Sequence, residues 1–433
     1  MKMKRNKYQT FIEVDKGIFL YFNSFSSKYL LLDEKKHNIY QNSSLEYIKQ
    51  NYLDLYKTLL DAQFVVSNDF DEQAIVEYKK IAEKMDTTMY HVVVNVTLDC
   101  NLRCWYCYEK KIHNSKLYAN VIEAIKLNVT LQYEKVRFKT LKISFFGGEP
   151  FLNFEGIRKI LDFARTFCKT RDVVLLADFT TNATLIRKEH LEYLQDLKCC
   201  FQITLDGDRQ KHNEVKHLNG EDTFMRTIDN IHNISNAIKE SYIWVRINYD
   251  EKTLEHIDDI LALIDDLDKN HAFLILRKIW QTDTNDINPK LLTGAIQKIL
   301  NHKFFVDCYA LSRSGICFAE RMNQVLVNFD GKVFKCSTLK SFDDDNSLGK
   351  LNLQTGEIKW DLNKVAQIPR ILPNKRCSEC CLYPCCLGPC NKNILKSPDR
   401  TCIIDEMNLS MRDYLMYNFK LNLLYENFSD TNL

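Results

Sequence analysis

At 433 residues with 45% hydrophobic side chains, the chain is long enough for two to four compact units and has an ordinary globular composition. A formal net charge of +2 gives no electrostatic case for nucleic acid or an acidic membrane as partner. No stretch approaches the ~18 apolar residues of a bilayer span, and the basic start, Met1–Gly17, lacks the apolar core of a secretory signal, so the cytoplasm is the expected location. The 16 cysteines therefore read as metal ligands rather than disulfides; residues 1–99 hold none and ten lie between Cys308 and Cys402.

In chain order, residues 1–85 read as a small separate unit. Ile18–Phe22 and Tyr29–Leu32 are apolar runs joined by Asn-Ser-Phe-Ser-Ser-Lys, a hairpin pattern. Helical spacing follows at Ile48, Leu55 and Leu59, and Phe64–Val66 is a short strand. This suits either a winged helix-turn-helix or a packing cap. From about residue 90 strand and helix periods alternate. Strands are expected at Val92–Leu98, Leu141–Phe146, Val173–Phe179, Phe201–Leu205, Ile243–Ile247 and Phe273–Leu276. Helical patterns lie between them, as at Val121, Ala124 and Ile125 or Ile157, Ile160, Leu161 and Ala164. Six βα units imply an α/β fold with a parallel sheet and right-handed crossovers, a partial (β/α)6 barrel rather than a closed eight-stranded one. From about residue 303 the alternation stops; the segment to Cys402 is cysteine-rich and loop-like, and 404–420 reads as a closing helix. The expected divisions are 1–85, 86–302, 303–403 and 404–433.

The polar constellations fall at the carboxyl ends of the expected strands, where function collects in such folds. Cys100, Cys104 and Cys107 follow the first strand as C-x3-C-x2-C, with Tyr106 before the last cysteine. Three thiolates can bind three irons of a cubane cluster and leave the fourth open to a small molecule. Zinc, with His113 recruited as fourth ligand, is the competing use. Gly147-Gly148-Glu149-Pro150 follows the second strand; its glycines permit close backbone approach and Glu149 can accept from an ammonium group. Thr180-Thr181-Asn182 ends the third strand and Asp206-Gly207 the fourth, either as ligand contacts or as ordinary capping turns. Arg246 and Asn248 on the fifth are weaker candidates. Cys168, Cys199 and Cys200 read as core thiols.

The triad resembles the signature of the radical S-adenosylmethionine (SAM) enzymes, in which the open iron chelates the amino and carboxylate groups of SAM. The Gly-Gly-Glu-Pro turn matches that family's motif for the SAM amino group, and Thr181, Asn182 and Asp206 look like its further cofactor-side positions. Farther on, Cys317-x13-Gly331-x4-Cys336 spans a hairpin turn at Asn328–Gly331, and Cys377-x2-Cys380-x5-Cys386-x3-Cys390 precedes Cys402. This is similar to the SPASM extension of radical SAM enzymes, which holds two auxiliary 4Fe–4S clusters. The resemblance puts Cys317, Cys336 and Cys390 on one cluster, with Cys308 as candidate fourth ligand, and Cys377, Cys380, Cys386 and Cys402 on the other. The doublets Cys380-Cys381 and Cys385-Cys386 leave the register ambiguous; only Cys380 and Cys386 keep the family spacing. Taken without the upstream triad, these C-x2-C pairs would suit zinc.

The resemblance implies three 4Fe–4S clusters and SAM as cofactors, and an external one-electron reductant of flavodoxin or ferredoxin type. SAM would be cleaved to a 5′-deoxyadenosyl radical that abstracts hydrogen from the substrate. Relatives with SPASM extensions mostly act on peptides. An N-terminal winged-helix element grips a leader peptide in some maturases of ribosomal peptides, which residues 1–85 loosely resemble. Sulfatase maturases carry an aspartate directly after the second auxiliary cysteine, where this chain has Ser337. The expectation is a peptide maturase forming a thioether or carbon–carbon crosslink on a precursor peptide. The alternatives are a sulfatase-maturase-like formylglycine-generating enzyme, a zinc-rich binding module, and an iron–sulfur electron carrier. No residue is singled out as the catalytic acid or base.

Overall fold

The computed structural model describes residues 2–279, 281, 287–308, 316–366, 375–388, 402 and 410–429. Two compact units result. One joins Met1–Lys84 to Tyr309–Cys317 and Arg370–Leu423; the other joins Met85–Cys308 to Phe318–Pro369 and Leu424–Leu433. The expected 303–403 segment is thus shared between them.

The first unit begins with β1 (Met3–Arg5), followed by an antiparallel meander of β2 (Gln9–Asp15), β3 (Ile18–Asn23) and β4 (Lys28–Asp33). Asp33 then caps α1 (Glu34–Asn42) by accepting from the Lys36 amide, and Ser44 caps α2 (Leu45–Asn51) through the Tyr47 amide. Tyr52 breaks the helical path before α3 (Leu53–Asp61). β5 (Val65–Ser67) returns to pair antiparallel with β1, and α4 (Glu72–Met85) ends the segment. Tyr21, Leu32, Tyr40, Ile48, Leu55, Leu59 and Phe64 bury together, so the unit has an interior of its own. The expected hairpin and helical spacing are present. β2 and α1 escape a reading by apolar pattern because their residues are half or more polar.

The second unit holds seven parallel strands in consecutive order: β6 (Met89–Thr97), β7 (Thr140–Gly147), β8 (Val174–Thr181), β9 (Lys198–Leu205), β10 (Ser241–Tyr249), β11 (Ala272–Lys278) and β12 (Val306–Cys308). Between them run α5 (Ala119–Val136), α6 (Phe154–Arg171), α7 (Lys188–Leu194), α8 (Arg209–Val215), α9 (Thr223–Ala237), α10 (Glu251–Glu255), α11 (Ile257–Ile264) and α12 (Pro289–Asn301). This is the expected partial barrel, with one more strand than expected; β12 has three residues, too few to show a period. Phe145, Phe179 and Phe201 stack across β7, β8 and β9 on one face of the sheet, with centroids 5.4 and 5.0 Å apart. Their neighbours Phe146, Thr180 and Gln202 point to the other face, which is how period two builds a polar site into a buried sheet.

The loop expected after residue 303 is in part more sheet. β13 (Gln324–Asn328) adds parallel to the free side of β6, and β14 (Lys332–Phe334), β15 (Gly349–Leu351) and β16 (Ile358–Trp360) follow antiparallel. Gly331 takes φ +84° in the hairpin turn anticipated there. A short α13 (Leu362–Val365) closes this part. The described remainder is two single-turn helices of the first unit, α14 (Lys375–Ser378) and α15 (Tyr383–Cys386), and α16 (Met411–Ser429), which overlaps the closing helix expected at 404–420 and runs farther; residues 403–409 lie outside the described residues.

Candidate active site

The cysteine loop leaves the end of β6 and is pinned by its neighbours. Gly148 donates its amide to the Thr97 carbonyl at 3.1 Å and Glu149 donates to that of Asp99 at 2.8 Å. A Cβ on Gly147 would stand 1.9 Å from the Thr97 oxygen, and one on Gly148 would stand 2.0 Å from the Asp99 oxygen. Both glycines are therefore dictated by the passage of this turn directly against the loop that begins at Cys100. Glu149 is fully buried and its carboxylate accepts from Thr181 Oγ1 (2.8 Å), Phe151 N (3.1 Å) and Asn182 N (2.8 Å), which ties the end of β7 to that of β8. Asn182 Nδ2 in turn donates to Asn101 Oδ1 at 3.0 Å and lies 3.9 Å from Cys100 Sγ. Three strand ends thus converge on one loop.

A cavity of about 180 Å³ opens at this mouth. Of the residues singled out in the sequence, Cys100, Cys104, Cys107, Gly147, Gly148, Thr181 and Asn182 line it, as do Thr180, Arg246 and Asn248. Glu149, Pro150 and Asp206 stand behind its wall, and His113 is absent from the lining, its side chain mostly exposed and paired with Asp99. The lining also includes Glu109, Lys111, Gln202, Thr204, Lys216 and Lys278, which motif reading missed. Gln202 and Thr204 did leave a signal: they are polar alternates in a strand that a parallel sheet should make continuously apolar. Lys216 left none, since it lies just past α8 and reaches the site only through the fold.

Behind the cavity lies a buried polar network. Tyr106 Oη donates to Asp206 Oδ1 at 2.5 Å; Asn248 Nδ2 lies 3.2 Å from the same oxygen and 3.0 Å from Tyr106 Oη. Lys216 Nζ pairs with Asp206 Oδ2 at 3.2 Å, both side chains being almost wholly buried. Burial pushes the Asp206 carboxyl up, but Lys216, His212 and the hydrogen bonds from Tyr106 and Asn248 outweigh it and hold it below its ordinary value. Burial and Asp206 drive the Tyr106 phenol upward, so it stays a neutral donor. Glu109, buried with Oε1 unpartnered, is pushed up to about 7 by burial.

The thiols suit a metal cluster. Burial raises Cys100 and pushes Cys104 up to about 11, so without a metal they stay protonated. In the first unit the Cys377 thiol is raised by burial and by its neighbours Cys386, Cys380 and Cys402. Cys381 shares a side-chain hydrogen bond with Cys380 and another with Thr10, and Cys385 Sγ lies 3.6 Å from Tyr414 Oη. Among the described residues, no three cysteines bring their sulfurs within 4.8 Å of one another. Cys336 Sγ accepts from the Thr338 amide at 3.3 Å and Cys317 is half-buried. Cys308 ends β12, its side chain lying outside the described residues, as Cys390 does entirely. Cys168 and Cys199 are buried core thiols, and Cys200 is half-buried.

Residues 94–264 match the family described as the radical SAM superfamily. An uncharacterized protein of Methanocaldococcus jannaschii is 33% identical over 34% of this chain, which spans 44% of that relative's length. A cysteine-type anaerobic sulfatase-maturating enzyme of Clostridium novyi is 22% identical over 68% of this chain and 86% of its own. The radical SAM cyclopropyl synthase TigE of Paramaledivibacter caminithermalis is 26% identical over 54% of this chain and 50% of its own. Among solved structures, native anSMEcpe with bound AdoMet and Cp18Cys peptide superposes with TM-score 0.59 at 18% identity, covering 78% of this chain and 99% of that one. Streptococcus suis SuiB bound to precursor peptide SuiA gives 0.50 at 15% identity, covering 92% of this chain and 97% of its own. The family match runs from within β6 to the end of α11, so this part of the barrel, with the cysteine loop at its mouth, is similar to the radical SAM superfamily.

Proposed function

We propose that the chain is a radical SAM peptide maturase that forms a thioether or carbon–carbon crosslink, or a related radical modification, on a leader-bearing precursor peptide. The observation that carries the reading is one cavity walled jointly by the cysteine triad, the Gly147–Gly148 turn and the Thr181–Asn182 turn. Cys100, Cys104 and Cys107 would hold the SAM-binding 4Fe–4S cluster. When bound, cluster and SAM supply reductive cleavage to a 5′-deoxyadenosyl radical, the electron coming from an external flavodoxin or ferredoxin. The chain's own part is to orient and enclose. The glycine turn gives backbone access, Thr181 and Asn182 present polar groups to the mouth, and the barrel wall keeps water from a reactive centre. The four-cysteine group at Cys377, Cys380, Cys386 and Cys402 would hold one auxiliary cluster; Cys308, Cys317, Cys336 and Cys390 would supply the other.

The self-contained sheet-and-helix unit ahead of the barrel supports a peptide substrate, because a meander followed by three helices offers strand edges to an extended leader. Formylglycine formation, supported by the Clostridium novyi relative, is the second reading; Ser337 after Cys336, where that branch carries an aspartate, weighs against it. The anaerobically purified chain should release 5′-deoxyadenosine from SAM and a reductant, and Cys104→Ala should release none. With a candidate precursor peptide, a product that lacks two hydrogens and does not react with a hydrazine supports crosslinking. Exchange of sulfur and two hydrogens for oxygen supports formylglycine. Undiminished SAM cleavage by Cys104→Ala would overturn the ligand assignment.

A further inference from the structure

Trp105 projects outward from the Cys104–Cys107 turn with more than half its surface exposed, its ring edge-on to that of Tyr106 at 5.5 Å. The turn's own closure is a single backbone bond, from the Cys107 amide to the Cys104 carbonyl at 3.1 Å. Tyr106 is the residue that reaches inward. Its hydroxyl ends on a carboxylate that is wholly inside the protein and outside the cavity lining.

We propose that Asp206 is a positioning residue for the radical centre, clamping the Tyr106 hydroxyl from behind the cavity wall to fix the Cys104–Cys107 turn, without itself touching the cofactor. The clamp is built from parts that cannot easily shift. Asp206 follows β9, Asn248 sits on β10, and Lys216 follows α8, so three elements meet at one carboxylate. Lys216 Nζ is itself held by the carbonyl of Thr204 at 2.5 Å. A bond from a neutral phenol to a buried, ion-paired carboxylate is charge-assisted, which makes it stiffer than an ordinary side-chain contact. Cys104 lies within the electrostatic reach of both Lys216 and Asp206, so a shift of the clamp would be felt at the ligand.

The test is a double-mutant cycle on the anaerobically reconstituted full chain, with Tyr106→Phe, Asp206→Asn and the pair. Iron per chain, the SAM dissociation constant and the electron paramagnetic resonance of the reduced cluster with and without SAM would be read. Tyr106→Phe removes one oxygen and should keep its iron, weaken SAM binding about tenfold, and blunt the spectral change that SAM induces. Asp206→Asn should do the same alone and add less than about twofold in the Tyr106→Phe background. Additive losses would mean that Asp206 acts on the cofactor by a route other than Tyr106 and would overturn the proposal. So would unchanged SAM affinity and spectrum in Tyr106→Phe, a variant informative even if Asp206→Asn does not fold. A wild-type chain that binds no SAM would count against the radical reading instead.

Discussion

Gly148 works through the atom it lacks. Its absent Cβ lets the turn after β7 lie on the Asp99 carbonyl, and that contact sets where the cysteine loop begins. Gly148→Ala should therefore push the loop aside and lower iron by about four per chain, with far-ultraviolet circular dichroism unchanged. Retention of full iron would show that the loop can yield. The doublets make a second test. Cys380→Ser and Cys386→Ser should each lose about four irons, whereas Cys381→Ser and Cys385→Ser should lose none, because only Cys380 and Cys386 keep the expected spacing. An iron loss in Cys381→Ser would reverse the register at the first doublet.

α14 and α15 are single turns, far too short to stand alone, yet they sit at the cysteine-rich end of the first unit. Tyr383 is what holds them. It is buried with Tyr8 and Val76, its hydroxyl donates to Glu77 Oε1 at 2.6 Å, and Cys377 and Cys380 pack around the same cluster. Ser24 and Lys80 donate to the carbonyls of Cys381 and Leu387, so β3, α4 and the cysteine turns form one packed body. Tyr383→Ala should destabilise this unit by about 3–5 kcal/mol, read as a lowered first transition in urea or as faster proteolysis of residues 1–84. A change under about 1 kcal/mol would mean the ring is not a packing element.

At the scale of the whole molecule, two buried histidines set the acid limit. His91 and His212 are lowered to about 3, in each case mainly by burial. Below the ordinary histidine value of ~6.5 the unfolded chain binds protons that the folded chain refuses, so stability falls as pH drops from ~6.5 toward about 3. Glu109, raised to about 7, acts in the opposite sense, its carboxyl losing stability as pH rises from ~4.5 to about 7. His190, also lowered by burial, and Glu149, also raised by burial, act in opposite senses, so the histidines still outnumber the carboxyls and stability should fall as pH drops from ~6 to ~4.5. Urea midpoints of the metal-free chain at the two ends of that window would measure it. A flat profile would mean that water reaches the two imidazoles.

The sequence by itself determined the barrel strands and the chemistry at their ends. Long periodic runs such as Val92–Leu98 declare themselves locally, and closely spaced cysteines cannot avoid lying together. It also carried the hairpin at Asn328–Gly331, because a turn is a local event. Short or polar elements were not legible: β12 has too few residues for a period, β2 and α1 too few apolar ones, and their pairing is supplied by partners distant in sequence. Only the tertiary structure decided that Glu149 and Asp206 brace the cavity from behind while Gln202, Thr204 and Lys216 face it. Those outcomes depend on which way a side chain points after packing, and that direction is fixed by neighbours that the linear pattern does not identify.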